Sequence, residues 1–265
     1  MTIGIFDSGM GGLTVMRALK ARLPQESFLY LGDTARLPYG TKSAETVTRY
    51  AIQAARALLA HDIKLLVVAC NTASAAALPA LTQALAPLPV VGVIQPGAAA
   101  AVAAAPQGPI AVIATEGTVK GGAYVRAIQE LSPSMPVVQQ AAPLFVALAE
   151  EGLRSGEIAR LVAERYLTPL LATLPRPKGM VLGCTHFPVL KDVIAEVAGK
   201  DVAIIDSAET TAKAVERILK DRNLLADGPG SSRFLATDAP GRFAHLGEIF
   251  LGEPIDPGAV TLVDL

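Results

Sequence analysis

VVACNTASA (67–75) decides the fold, because a run of apolar, β-branched residues ends abruptly in a cysteine and then in Asn, Thr and an alanine-rich helical stretch. A near-continuous apolar strand of this kind fits burial on both faces, as in a parallel sheet covered by helices. MVLGCTHFP (180–188) has the same shape, an apolar strand ending in Cys and then a hydroxyl residue. Two further pairs run in step with these. IGIFDSGMGG (3–12) resembles IAVIATEGTVKGG (110–122), and PVVGVI (89–94) resembles DVAIID (201–206). The partners are separated by 107, 114 and 112 residues, nearly one value, and that offset superposes the only two cysteines. Strands of α/β proteins resemble one another in isolation, but a near-constant offset does not follow from that likeness.

Outward from these segments, short β-rich runs alternate with Ala/Leu-rich helical patterns. Strands are expected at 3–6, 28–31, 65–69, 90–94, 110–114, 137–139, 180–182, 202–205, 234–236 and 260–263. Helical patterns fall at 12–21, 43–60, 73–85, 97–104, 118–131, 143–173, 187–197, 209–222 and 241–251. Such alternation means βα units and a mostly parallel sheet. The fold class expected is α/β: two similar flavodoxin-like, doubly wound domains related by a pseudo-two-fold, with a cleft between them. The stretch after residue 210 has no counterpart in the first repeat, so it returns to the first domain. The division expected is therefore 1–96 plus 210–265 against 97–209.

Composition narrows the function. The chain has 265 residues, 51% hydrophobic and 18% charged, enough to bury a substantial core. Lys and Arg number 23 against 24 Asp and Glu, and no basic tract interleaves with aromatics, so a nucleic-acid partner is not expected. The longest apolar runs, such as 98–105, fall short of the roughly 18 residues of a membrane span. No secretory leader opens the sequence, and two cysteines so far apart fit a reduced cytoplasmic protein. A small-molecule substrate is the partner that remains.

The chemistry should sit at the carboxyl ends of the strands, where helix N-termini supply free N–H donors. Cys70 lies at such a junction, where position favours a thiolate, although a lone buried Cys is commonly just a small apolar residue. Asn71 and Thr72 can cap the following helix, touch a ligand, or do both. Cys184 repeats the arrangement, with Thr185 beside it and His186 two residues on. One Cys and one His do not make a zinc site, and a disulfide would be unusual in the cytoplasm. Two thiols facing each other across a cleft remain as the alternative. Asp7 and Ser8 end the first strand; Asp7 can cap a helix, steer a thiol or bind an ammonium group. Gly9, Gly11 and Gly12 do not form a dinucleotide fingerprint. Pro38, Tyr39 and Gly40 read as a rigid loop carrying a phenol at the ligand end of the sheet. Glu150 and Glu151 follow an apolar run, a weak signal in itself. No pattern suggests pyridoxal phosphate, a nucleotide or a metal.

Taken together, IGIFDSGMGG, YLGDTARLPYG, VVACNTASA, GVIQPGA and VLGCTHFP resemble, in order and over essentially the whole chain, the glutamate racemases of the aspartate/glutamate racemase superfamily. The resemblance implies cofactor-independent racemisation of glutamate by two bases, Cys70 and Cys184. It implies that Asp7 and His186 assist them and that Glu150, or its neighbour Glu151, fills the acidic position. Asp7, Ser8, Pro38, Tyr39, Gly40, Cys70, Asn71, Thr72, Cys184, Thr185 and His186 then contact substrate. It further implies that Cys70 deprotonates D-glutamate and Cys184 L-glutamate and that the product serves peptidoglycan; members of the family tend to form homodimers, a habit that does not fix the oligomeric state of this chain. Ala142 departs from the family, which often has Cys there. The chain also begins at the first strand, without the extension of the subgroup activated by a peptidoglycan precursor, so activity without an activator is expected. The competing readings are a racemase for another acidic amino acid such as aspartate, a decarboxylase, which would use a single Cys, and a non-catalytic bilobal binding or regulatory protein.

Overall fold

The computed structural model describes residues 1–265. In chain order the elements are β1 (Thr2–Asp7), α1 (Leu13–Arg22), β2 (Phe28–Gly32), α2 (Ala44–Leu59), β3 (Ile63–Val68), α3 (Asn71–Leu85), β4 (Val90–Gly92) and α4 (Ile94–Ala104). There follow β5 (Ile110–Ala114), α5 (Glu116–Gly121), α6 (Ala123–Leu131), β6 (Val137–Ala141), α7 (Leu144–Glu150), α8 (Gly156–Leu171), β7 (Gly179–Gly183), α9 (Lys191–Ala198) and β8 (Ala203–Asp206). The chain closes with α10 (Ser207–Asp221), β9 (Ser232–Ala236), α11 (Pro240–Leu251) and β10 (Val260–Leu262).

Two all-parallel sheets result. The first has the order β10-β9-β2-β1-β3-β4 and the second β6-β5-β7-β8. Matching β1 to β5, β2 to β6, β3 to β7 and β4 to β8 gives one strand order in both, the doubly wound order whose ligands lie beyond the carboxyl ends of the strands. The internal echo of the sequence is thus an echo of topology, and the strands after residue 230 extend the first sheet. Each sheet with its helices forms a lobe. The chain passes between them twice, through α4 and through α10.

Period-two alternation assigns the strand faces. Ile3, Ile5, Leu65 and Val67 of the first sheet join Ile110, Val112 and Val181 of the second in one inner core of 41 buried residues, which α1, α4, α6, α10 and α11 also fill. Phe6, Leu66 and Val68 turn outward onto α2 and α3. Ala111, Ile113 and Leu182 turn outward onto α8 and α9. Because the inner core is continuous across the lobes, apolar burial itself sets their spacing.

Three local expectations are corrected. Ile94 starts α4 rather than ending β4: the strand stops at Gly92, and Val93 already has the helical backbone that caps α4. The helical pattern at 143–173 divides at 151–155: Gly152 within the break and Gly156 at the start of α8 adopt φ values of +70° and +85° that other residues rarely take. The pattern at 118–131 divides at Gly122, φ +61°.

Candidate active site

The carboxyl ends of β1, β3, β5 and β7 converge on a small cavity of about 40 Å³. Ser8, Cys70, Asn71 and Thr72 form its wall on the six-stranded lobe, with Pro38, Tyr39 and Gly40 as a lip. Thr115, Val146, Cys184, Thr185 and His186 form the wall on the four-stranded lobe. Both cysteines are buried, free thiols. No cluster of three or more His, Cys, Asp or Glu is arranged to hold a metal ion.

Cys70 itself caps α3: its Sγ accepts from the backbone N–H of Ala73 at 3.4 Å. Asn71 and Thr72 are therefore the first two residues of the helix rather than its caps, and N–H groups there have no intrahelical partner. Asn71 accepts from the Tyr124 hydroxyl at 2.7 Å through Oδ1, while its buried Nδ2 has no partner. Thr72 shares hydroxyl contacts with Thr115 at 3.0 Å and Thr118 at 3.3 Å across the lobe boundary. The Cys70 thiol lies 3.5 Å from Ser8 Oγ. Burial, reinforced by the negative charge of Asp7, pushes Cys70 up to about 12.

Asp7 lies fully buried behind Ser8, outside the cavity wall. One carboxylate oxygen accepts from Gly9 N–H at 3.0 Å, so Asp7 shapes the turn rather than capping α1, whose cap is Gly12. The other oxygen has no partner. Burial raises the Asp7 carboxyl, against the opposing pull of His186 and of the N–H groups of Gly12, Gly9 and Ser8.

The Cys184 side is built differently. His186 Nδ1 lies 3.9 Å from Cys184 Sγ, and Nε2 lies 3.2 Å from Glu150 Oε1. Glu150, at the end of α7, is thus the residue that meets the histidine, while Glu151 is exposed. Burial alone would lower His186, but hydrogen bonds to Cys184 and Glu150, with the charges of Cys184 and Asp7, carry it up to about 10. Its bond to Glu150 in turn lowers that carboxyl, against burial, and Arg242 adds to the effect. The ring fits only because residue 11 is glycine: a Cβ there would lie 2.4 Å from His186 Nδ1. Thr14 braces the turn by donating to Gly11 O at 2.9 Å and Thr185 O at 3.0 Å.

The lip is fixed from behind. Tyr39 donates its hydroxyl to Asp33, which also accepts from Arg36 Nε at 2.7 Å and from Thr237 Oγ1 at 2.9 Å. The phenol is thereby occupied by Asp33. Ten of the residues expected to contact substrate thus line one cavity, with Asp7 behind Ser8 and Glu150 behind His186. Sequence reasoning missed Thr115, Val146 and Arg242. Thr115 was within reach, since the offset of 107 that pairs the first strands carries Ser8 onto it. Val146 and Arg242 carry no pattern of their own.

Fold and site define a two-lobed α/β protein in which one buried thiol from each lobe lines a single small cavity, with Asp7 and the His186–Glu150 pair close by. The chain belongs to the Asp/Glu/Hydantoin racemase family, whose model matches residues 8–215. It is 52% identical to the glutamate racemase of Geobacter metallireducens over 255 residues, 94% of this chain and 92% of that one. Its structure is similar to that of a glutamate racemase from Bacillus anthracis, with TM-score 0.94 and 40% identity, covering 100% of this chain and 97% of the other. It is also similar to the glutamate racemase of Francisella tularensis in complex with D-glutamate, with TM-score 0.91 and 36% identity, covering 99% and 97%.

Proposed function

We propose that this protein interconverts L- and D-glutamate without a cofactor, Cys70 and Cys184 each serving one face of the α-carbon. The observation that carries this reading is the pair of free thiols presented from opposite lobes to one small cavity. Inversion needs a base on one face and an acid on the other, and two thiols, one held as thiolate and the other protonated, supply both. From L-glutamate, Cys184 as thiolate takes the α-proton, and Cys70 as thiol delivers its own proton to the opposite face. In reverse, Cys70 removes the proton and Cys184 returns one.

The electrostatics suit that division. A Cys70 pushed up to about 12 rests as the thiol, the acid of the L-to-D direction. A His186 pushed up to about 10 is an imidazolium at neutral pH, a counter-charge 3.9 Å from Cys184. Asp7 and Glu150 complete the two helper groups. The free N–H groups of Asn71 and Thr72, the unpartnered Asn71 amide and the hydroxyls of Ser8, Thr115 and Thr185 would hold the α-carboxylate and steady the developing carbanion. The backbone of Pro38, Tyr39 and Gly40 would close over the substrate.

Residues 1–96 with 210–265 and residues 97–209 act as the two domains in this reading, and a homodimer is the assembly the family resemblance supports. No helix is long and apolar enough to cross a membrane. We place the reaction in the cytoplasm, where D-glutamate would supply peptidoglycan synthesis. Chelator-treated protein, given no nucleotide or pyridoxal phosphate, should abolish the circular dichroism of either glutamate enantiomer and leave aspartate nearly untouched. Activity that vanishes on chelation and returns with metal, or a preference for aspartate, would reject the proposal.

A further inference from the structure

The two thiols differ in how their helpers are assembled. Cys70, Asp7 and Ser8 all belong to the six-stranded lobe, so the Cys70 side is complete within one body. Cys184, His186 and Glu150 belong to the four-stranded lobe, but α11 of the other lobe reaches across to them. Phe250 sets its ring against the His186 ring, with centroids 5.0 Å apart at 71°. Arg242 brings Nη2 to 3.8 Å from Glu150 Oε2, while Glu150 Oε1 faces His186 at 3.2 Å. The two carboxylate oxygens are thus taken from opposite sides. Arg242 makes no other ion pair, and its side chain is 63% exposed.

We propose that Arg242 is a positioning residue, which holds Glu150 toward His186 across the lobe boundary and so prepares the Cys184 side only when the lobes are together. A half-buried carboxylate with one free oxygen can swing toward water, and the guanidinium removes that option by occupying the oxygen His186 does not use. The pair is too exposed to matter much for stability; its consequence lies in where Glu150 points. The inference rests on the two-thiol reading of the site, with Cys184 acting on L-glutamate.

The test uses the full-length Arg242→Gln and Arg242→Lys variants with L- and D-glutamate deuterated at Cα. Because the equilibrium constant of racemisation is one, kcat/KM must fall equally in both directions, here by about two- to fivefold, the range for an exposed ion pair. The isotope effects must separate: that on kcat/KM should rise for the L substrate, whose proton Cys184 removes, and shrink for the D substrate. Arg242→Lys should restore most of both. Arg242→Gln added to Glu150→Gln should change nothing further. Isotope effects that Arg242→Gln leaves unmoved, in a wild-type protein that racemises glutamate, would overturn the positioning role and leave the two-thiol reading standing. A loss that adds to that of Glu150→Gln would overturn it too. Wild-type protein that does not racemise glutamate would overturn both.

Discussion

Gly11→Ala should disable the site through sterics alone. Gly11 does not have a positive φ, so alanine brings no backbone strain. Its Cβ would nevertheless lie 2.4 Å from His186 Nδ1, 2.5 Å from Cε1 and 2.6 Å from Thr185 Oγ1. Ordinary contacts between such atoms are about 3.5 Å, so the imidazole must retreat by about 1 Å. It has little room, being held by Glu150 at 3.2 Å and abutted by Phe250. Overpacking of this kind costs about 1–3 kcal/mol, and a catalytic group misplaced by about 1 Å costs about 10²-fold in rate. The assay is kcat/KM from the decay of circular dichroism, with Tm measured in parallel and Gly228→Ala as control, since a Cβ at Gly228 meets nothing within 4 Å. The expected result is a loss of about 100-fold with Tm lower by several degrees, and no change in the control. Gly11→Ala at wild-type kcat/KM would refute both the placement of His186 against Gly11 and its need in catalysis.

Two further perturbations address the lip and the resting thiol. Asp33→Asn puts an amide where three donors converge, leaving at least one of them unpaired at a cost of about 1–3 kcal/mol; KM for glutamate should rise about tenfold with a lower Tm, and an unchanged KM would remove the lip from substrate binding. Carboxamidomethylation of Cys70, followed by peptide mass spectrometry on the substrate-free protein, should accelerate about tenfold per pH unit from pH 7 to 10, because burial and Asp7 hold that thiol up to about 12. A plateau beginning below pH 9 would contradict that environment.

The strands were legible because burial on both faces leaves an apolar run that no turn or exposed helix imitates; LLVV at 65–68 lies wholly inside. The pairing of the two sheets was legible from the constant offset, and so were the thiols, since each ends a paired strand. Continuity of apolar residues misleads where geometry intervenes. PVVGVI reads as one strand, but the backbone turns helical at Val93 and Ile94 opens α4. EEGLRSG falls inside one continuous helical pattern, yet Gly152 and Gly156 take positive φ on either side of the break between α7 and α8, and Glu150 at the end of α7 meets His186. Arg242 was hidden for a different reason. A surface arginine gains a role only from what the fold sets opposite it, and the opposing Glu150 lies on the other lobe.

The central claim is that the two thiols work opposite faces of one carbon, and removing them singly tests it most directly. Cys70→Ser and Cys184→Ser should each lose racemisation by several orders of magnitude, because inversion needs an acid and a base together. A glutamate analogue with a leaving group on Cβ relaxes that requirement: removal of the α-proton expels the leaving group, and no proton need arrive on the other face. Each variant should therefore eliminate from one enantiomer only, the L form when Cys184 remains and the D form when Cys70 remains. A folded variant that processes both enantiomers equally, or neither, would contradict the facing-thiol account.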